Sequence, residues 1–191
     1  ATFSPDGRWL VFTSDRGGNT DLYALDLQVG GGAVRLTRDT AMDDAADVSS
    51  DGDRIVFVST RDGNADVFVM PFAPGDTTVE AHAENLTHRR GGDFNPSFSP
   101  DGSLIAWARQ EARPPDGPAL SPQNFRRAWA TEVFVMASDG SGARPIGEEN
   151  LFREETRVQM VGGSPAWSPN GTSIYFHGVS VGKQGFLAHM R

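Results

Sequence analysis

The sequence predicts an all-β chain, a β-propeller of four-stranded antiparallel blades with about four blades present. Three observations carry that prediction. A turn motif recurs four times, as Phe3-Ser4-Pro5-Asp6-Gly7, Val48-Ser49-Ser50-Asp51-Gly52, Phe98-Ser99-Pro100-Asp101-Gly102 and Trp167-Ser168-Pro169-Asn170-Gly171. Apolar residues stand at fixed offsets after each glycine: Leu10, Ile55, Ile105 and Ile174 three positions on, and Phe12, Phe57, Trp107 and Phe176 five positions on. The glycine-to-glycine spacings are 45, 50 and 69 residues, which suit a blade of roughly 40 to 50 residues with insertions.

Each unit reads as the same order of strands. A large apolar residue closes an innermost strand, which Asn95-Pro96 and Ser164-Pro165 introduce in the third and fourth units. Ser-Pro-Asp-Gly then suits a type I turn, with proline presetting φ and glycine free to take a positive φ. Ser50 replaces proline in the second copy. The second strands, such as Trp9-Leu10-Val11-Phe12 and Ile55-Val56-Phe57-Val58, are apolar on both alternating faces and need cover on both sides. Third strands open on an acid, as Asp21-Leu22-Tyr23-Ala24-Leu25, Asp66-Val67-Phe68-Val69-Met70 and Glu132-Val133-Phe134-Val135-Met136. The first two acids lie 14 positions past their glycines and the third lies 30 past, so the third unit carries an insertion of 16 residues. Short fourth strands end Val34-Arg35-Leu36-Thr37, Glu84-Asn85-Leu86-Thr87 and Arg144-Pro145-Ile146.

The 191 residues therefore divide into blades at about 1–40, 41–91, 92–160 and 161–191. The first blade lacks the start of its innermost strand, and the last, with residues 186–190 as its third strand, lacks a fourth. The expectation is a fragment of a ring of about six to eight blades, or a ring completed by two or more chains. Either way exposed blade edges are open to pairing, self-association included.

Composition limits the function. Net charge is −8, and no run of Lys or Arg exceeds two residues, which argues against nucleic acid and anionic membranes as partners. The absence of cysteine removes disulfide scaffolds, thiolate metal sites and cysteine nucleophiles. No apolar stretch approaches the roughly 20 residues that cross a bilayer. No leader of basic and then apolar residues precedes Ala1, so an export signal, if used, is expected upstream.

Several groups are candidates for chemistry. Gly178-Val179-Ser180-Val181-Gly182 matches the G-x-S-x-G pattern, which requires a strand, an elbow and a helix. Its place in a strand-to-strand turn favours a hairpin loop instead, and no catalytic constellation is found. Asp62, Asn64 and Asp66 set oxygens at alternate positions, as a calcium loop does, without the later glycine and glutamate. Asp15, Asn19 and Asp21 occupy the related turn of the first blade, and hairpin chemistry explains both. Asp43, Asp44 and Asp93 precede the innermost strands and are expected at one mouth of the central channel, as a negative binding rim or as solvated loop carboxylates. Residues 110–128 break the repeat and contain Phe125, Arg126 and Arg127, and a second long connection runs over 147–163. Long loops on a rigid scaffold commonly carry binding function. His82, His88, His177 and His189 form no i, i+4 pair and suggest no metal site.

Phe98-Ser99-Pro100-Asp101-Gly102 with its following strand, and Arg61-Asp62-Gly63-Asn64-Ala65-Asp66-Val67-Phe68-Val69-Met70, resemble the repeat of TolB-like β-propellers. The resemblance covers the whole chain. It implies a periplasmic or secreted, non-catalytic scaffold that binds a protein or peptide; no cofactor and no membrane insertion are expected. Similar repeats occur in the propeller domains of prolyl-oligopeptidase-like serine peptidases and in tricorn-type proteases. A gating domain whose catalytic partner lies outside these residues is therefore a second expectation, and a secreted propeller for carbohydrate or another small ligand is a third.

Overall fold

The computed structural model describes residues 1–111, 131–146, 158–159, 163–180 and 186–190, without the side chains of 111, 158–159, 177–180 and 186–190. The described strands form four four-stranded sheets, all paired antiparallel. The first holds β1 (Thr2–Phe3), β2 (Trp9–Ser14), β3 (Asp21–Asp26) and β4 (Val34–Arg35), and the second holds β5 (Asp43–Val48), β6 (Arg54–Ser59), β7 (Asp66–Pro71) and β8 (Glu84–Asn85). The third holds β9 (Gly91–Phe98), β10 (Leu104–Glu111), β11 (Thr131–Ala137) and β12 (Arg144–Pro145). In the fourth, β15 (Ile174–Ser180) pairs with β13 (Val158–Gln159), β14 (Ala166–Trp167) and β16 (Phe186–Met190). The fourth sheet thus draws a strand from the long connection before residue 161. The four sheets do not close a ring; the architecture is a partial propeller.

The repeated turn is held by its serine and acid more than by its proline. Ser4, Ser49, Ser99 and Ser168 are all buried. Each hydroxyl accepts the backbone N–H five residues on, at 2.9 to 3.0 Å, and donates to the carboxylate or amide oxygen two residues on. The glycines close the turns at φ between 69° and 78°, the left-handed region that favours glycine. The second copy keeps all of these bonds with Ser50 in place of proline. Consecutive turns also touch: a Cβ added at Gly102 would lie 3.0 Å from Ser50 Oγ.

The fourth strands of the first and second sheets are two residues shorter than the sequence suggests, and there a side chain enters the ladder. The hydroxyls of Thr37 and Thr87 accept the N–H groups of Leu22 and Val67, each at 3.0 Å.

The core lies between sheets. Val11, Leu22, Ala24 and Leu36 of the first meet Val48, Ile55, Phe57, Phe68 and Met70 of the second. Val56 and Val67, on the other face of the second, meet Phe98, Ile105, Trp107, Phe134 and Met136 of the third, whose Ala106, Val133 and Val135 meet Ile174 and Phe176 of the fourth. The third and fourth sheets set bulky and aromatic side chains against a smaller Ala/Val face of the sheet before, and the second sets them against an aliphatic face that includes Leu22 and Leu36. This alternation accounts for strands that are apolar on both sides.

Trp107 is fully buried in the middle of this stack. Trp107→Ala is expected to lower stability by roughly 3 to 5 kcal/mol, read as a shift of the urea unfolding midpoint.

Candidate functional site

The innermost strands β5 and β9 place their acids inside the protein. Asp43 and Asp93 lie within these strands and are 0% and 2% exposed. Their backbone N–H groups donate to Thr20 and Ala65 of the preceding sheet, each at 2.8 Å. Two residues on, Ala45 and Asn95 take φ of 52° and 51°, where both strands shift register. A non-glycine residue there costs about 1 kcal/mol or more, and the bulge turns the carboxylate into the protein.

A guanidinium set over aromatic rings meets each carboxylate. Arg109 Nε and Nη2 donate to Asp93 at 2.8 and 3.1 Å, and Trp107 Nε1 donates to the same carboxylate at 2.8 Å. The Arg109 guanidinium carbon lies 4.5 Å from the centre of the Phe134 ring. In the second sheet Arg61 Nη2 donates to both Asp43 oxygens at 3.2 and 3.1 Å and covers Phe57 and Phe68. Burial pushes the Asp43 carboxyl up, against the hydroxyl of Ser59 and the charge of Arg61. Asp43 and Asp93 therefore act as joints of the scaffold, and only Asp44 of the expected rim is exposed. Asp44 accepts the Thr13 hydroxyl at 2.7 Å.

Asp47 was not singled out by the sequence. Its carboxylate accepts Thr2 Oγ1 at 3.1 Å from the first sheet and the Phe98 N–H at 2.9 Å from the third, so one side chain joins three sheets. Burial is the main cause that raises its carboxyl above the usual range. The available signal was an acid at the position that holds Thr2, Ser97 and Ala166 in the other units.

Amides meet the carboxylates of the calcium candidates. Asn85 Nδ2 donates to Asp62 at 2.8 Å and to Asp66 at 2.9 Å, and Asn64 Nδ2 donates to Asp66 at 2.8 Å. In the related turn Arg35 bonds Asp21, while Asn19 donates to the carbonyls of Asp39 and Ala41. Among the described residues no group of three or more His, Asp or Glu is placed to hold a metal ion, and no helix is long and apolar enough to cross a membrane. Ser180 ends β15, and the next described element is the antiparallel strand β16. Phe125, Arg126 and Arg127 lie outside the described residues.

An open groove of about 260 Å³ separates the first two repeated turns, with Trp9 and Phe72 as aromatic walls and Asp6 and Asp51 at its edges. Hydrogen bonds from Ser4 and from Ser49, ahead of those from backbone N–H groups, hold these two carboxyls below the usual range.

A family model described as the TolB beta propeller domain matches residues 1–117. No curated protein matches the chain. Among solved structures, the chain is similar to TolB from Acinetobacter baumannii, at 25% identity and a TM-score of 0.68, over 99% of this chain and 39% of that one. It is also similar to a TolB candidate from Agrobacterium tumefaciens, at 24% identity and a TM-score of 0.66, over 98% and 56%. Prolyl oligopeptidase B from Galerina marginata matches at 12% identity and a TM-score of 0.55, over 93% and 23%. The chain thus spans 56% and 39% of the two TolB structures.

Asp47 supplies a test of the joints. Because its folded carboxyl is raised above 3.8, its contribution favours folding at low pH and is lost as pH rises through the folded value. Asp47→Asn keeps an acceptor and a donor but does not titrate. Its stability relative to the parent chain is expected to grow from pH 4 to pH 7 in urea titrations, whereas Asp47→Ala is expected to lose about 1 to 3 kcal/mol.

Proposed function

Since the chain belongs to the TolB beta propeller domain family, we propose that it is a non-catalytic, extracytoplasmic scaffold that binds a protein or peptide. The observation that carries this reading is the family match together with a sheet stack whose inner acids are consumed in joints. A stack held this way is a rigid support for loops, where binding residues of such scaffolds concentrate. The contacts proposed for the partner are the exposed Asp44 and the insertion residues Phe125, Arg126 and Arg127. Asp43 and Asp93 contribute by positioning the strands that carry the rim.

A second reading draws on the likeness to prolyl oligopeptidase B, of which the chain covers 23%. Here the propeller would gate a serine peptidase whose catalytic part lies outside the 191 residues. Ser180 has no catalytic part in either reading.

Both readings meet in one experiment. Immobilised chain is expected to retain a protein from a periplasmic extract, in a salt-dependent manner. Asp44→Lys, and Arg126→Glu with Arg127→Glu, are each expected to weaken retention about tenfold, the effect of roughly one charged contact, with unfolding midpoints unchanged. Retention indifferent to all of these substitutions would count against the scaffold reading. Peptide hydrolysis by a chain extended beyond residue 191 would favour the gate.

A further inference from the structure

The spaces between neighbouring turns are built alike but filled differently. Two residues past the turn glycine stands Trp9 in the first unit and Arg54 in the second. Phe72 and Ser138 are likewise equivalent, since their N–H groups donate at 2.8 and 2.9 Å to the carbonyls of Asp53 and Ser103, the residue after each glycine. Between the second and third turns the space holds a guanidinium. Arg54 Nη1 donates to the Ser138 carbonyl at 3.3 Å, and Nη2 donates to the Ser138 hydroxyl at 3.3 Å and to the Gly102 carbonyl at 3.5 Å. The guanidinium carbon lies 5.5 Å from the centre of the Phe98 ring.

Between the first and second turns Trp9 replaces that arginine and Phe72 replaces the serine, and the groove of about 260 Å³ stays open. It is bounded by the two turns and by the segment after β7, with Pro5 and Pro74 beside the two aromatic walls. Trp9 and Phe72 are half-buried against the core of the first two sheets, which holds both in place. Asp6 and Asp51, at the edges, are exposed and, among the described residues, in ion-pair contact with no cation. The hydrogen bonds from Ser4 and Arg8 fall on Oδ1 of Asp6, and those from Ser49 and Asp53 on Oδ1 of Asp51. Oδ2 of each takes none of these. Arg8 lies over Trp9 but is paired with Asp26 at 2.8 Å and is not part of the groove wall.

We infer that this groove captures an arginine side chain presented by a partner protein. The guanidinium enters between Trp9 and Phe72, where aromatic faces attract a planar cation, and donates to the carboxylates of Asp6 and Asp51. Arg54 shows the same group filling the equivalent space from within the chain. The net charge of −8 adds long-range attraction for a basic partner. The groove lies at the end of the innermost strands opposite to Asp44, so the site goes beyond the rim proposed above. The two fail separately, because substitutions at Asp6 and Asp51 leave Asp44, Arg126 and Arg127 untouched.

The probe is the acetylated, amidated tripeptide Gly-Arg-Gly, titrated into the full chain while the Trp9 Nε1–H and the amides of Asp6, Gly52 and Phe72 are followed by NMR. Saturable shifts of all four are expected, with a Kd on the order of 1 mM. Asp6→Asn and Asp51→Asn keep the turn, because Asn170 holds the same place in the fourth turn and accepts the same serine hydroxyl. Each should weaken binding about fivefold to tenfold, as for loss of a charge-assisted bond, and the double variant should show no saturable shifts while its unfolding midpoint stays near the parent's. Tripeptides with lysine or citrulline in place of arginine should bind more weakly, citrulline least. Equal affinity for the arginine tripeptide and either of these overturns the inference, as does parental binding by the double variant. Shifts that spread equally to Asp101, whose turn already has Arg54 beside it, reveal diffuse counter-ion attraction and overturn it too. So does the absence of saturable shifts up to about 10 mM, beyond the weakest binding that one such contact would give.

Discussion

A carboxylate removed from water has to recover its solvation from the protein, and the sheet stack is arranged around that requirement. Asp93 recovers it from one guanidinium and one indole N–H, and Asp43 from a guanidinium and neighbouring hydroxyls. The guanidinium carbons lie 4.5 to 5.5 Å from the ring centres of Phe57 and Phe68, or of Trp107 and Phe134, so the charge pair and the aromatic core form one unit. The left-handed backbone at Ala45 and Asn95 is tolerated because it delivers the acid into this site. The same aspartates fasten the second sheet to the first and the third to the second through their backbone N–H groups. Register within a sheet and docking between sheets thus depend on the same residue.

At the other end of the innermost strands, the serine of each turn divides its two hydrogen-bonding capacities between the returning backbone and the acid of the turn. Satisfying a buried hydroxyl twice makes the turn self-sufficient. Proline becomes dispensable, as the second unit demonstrates with Ser50. Hydrogen bonds from Ser99 and Ser103 hold the Asp101 pKa at about 2, and Asp6 and Asp51 are lowered in the same way, so the first three turns carry ionised acids.

This division of labour bears on function. Acids near the axis were natural candidates for a binding rim, but burial assigns most of them to cohesion. Among the described residues, Asp44 and the aromatic and acidic groove between the first two turns face solvent. A scaffold whose interior charges are mutually satisfied can vary its exterior without disturbing its register.

The sequence by itself determined the unit. The spacing of Gly7, Gly52, Gly102 and Gly171, with Leu10, Ile55, Ile105 and Ile174 behind them, specified blade, turn and the two-sided apolar strands, because hydrophobic period and turn chemistry are local properties. Only the tertiary structure decided what the acids do. Asp43 and Asp93 look like loop carboxylates in sequence, since neither Arg61 nor Arg109 is marked as their partner by any constant spacing: the separations are 18 and 16 residues. Asp47 bonds residues 45 and 51 positions away, and no local pattern announces such a bridge. Whether a carboxylate is solvated, paired or shared depends on which sheets surround it, and that is settled only when strands distant in the chain pack together.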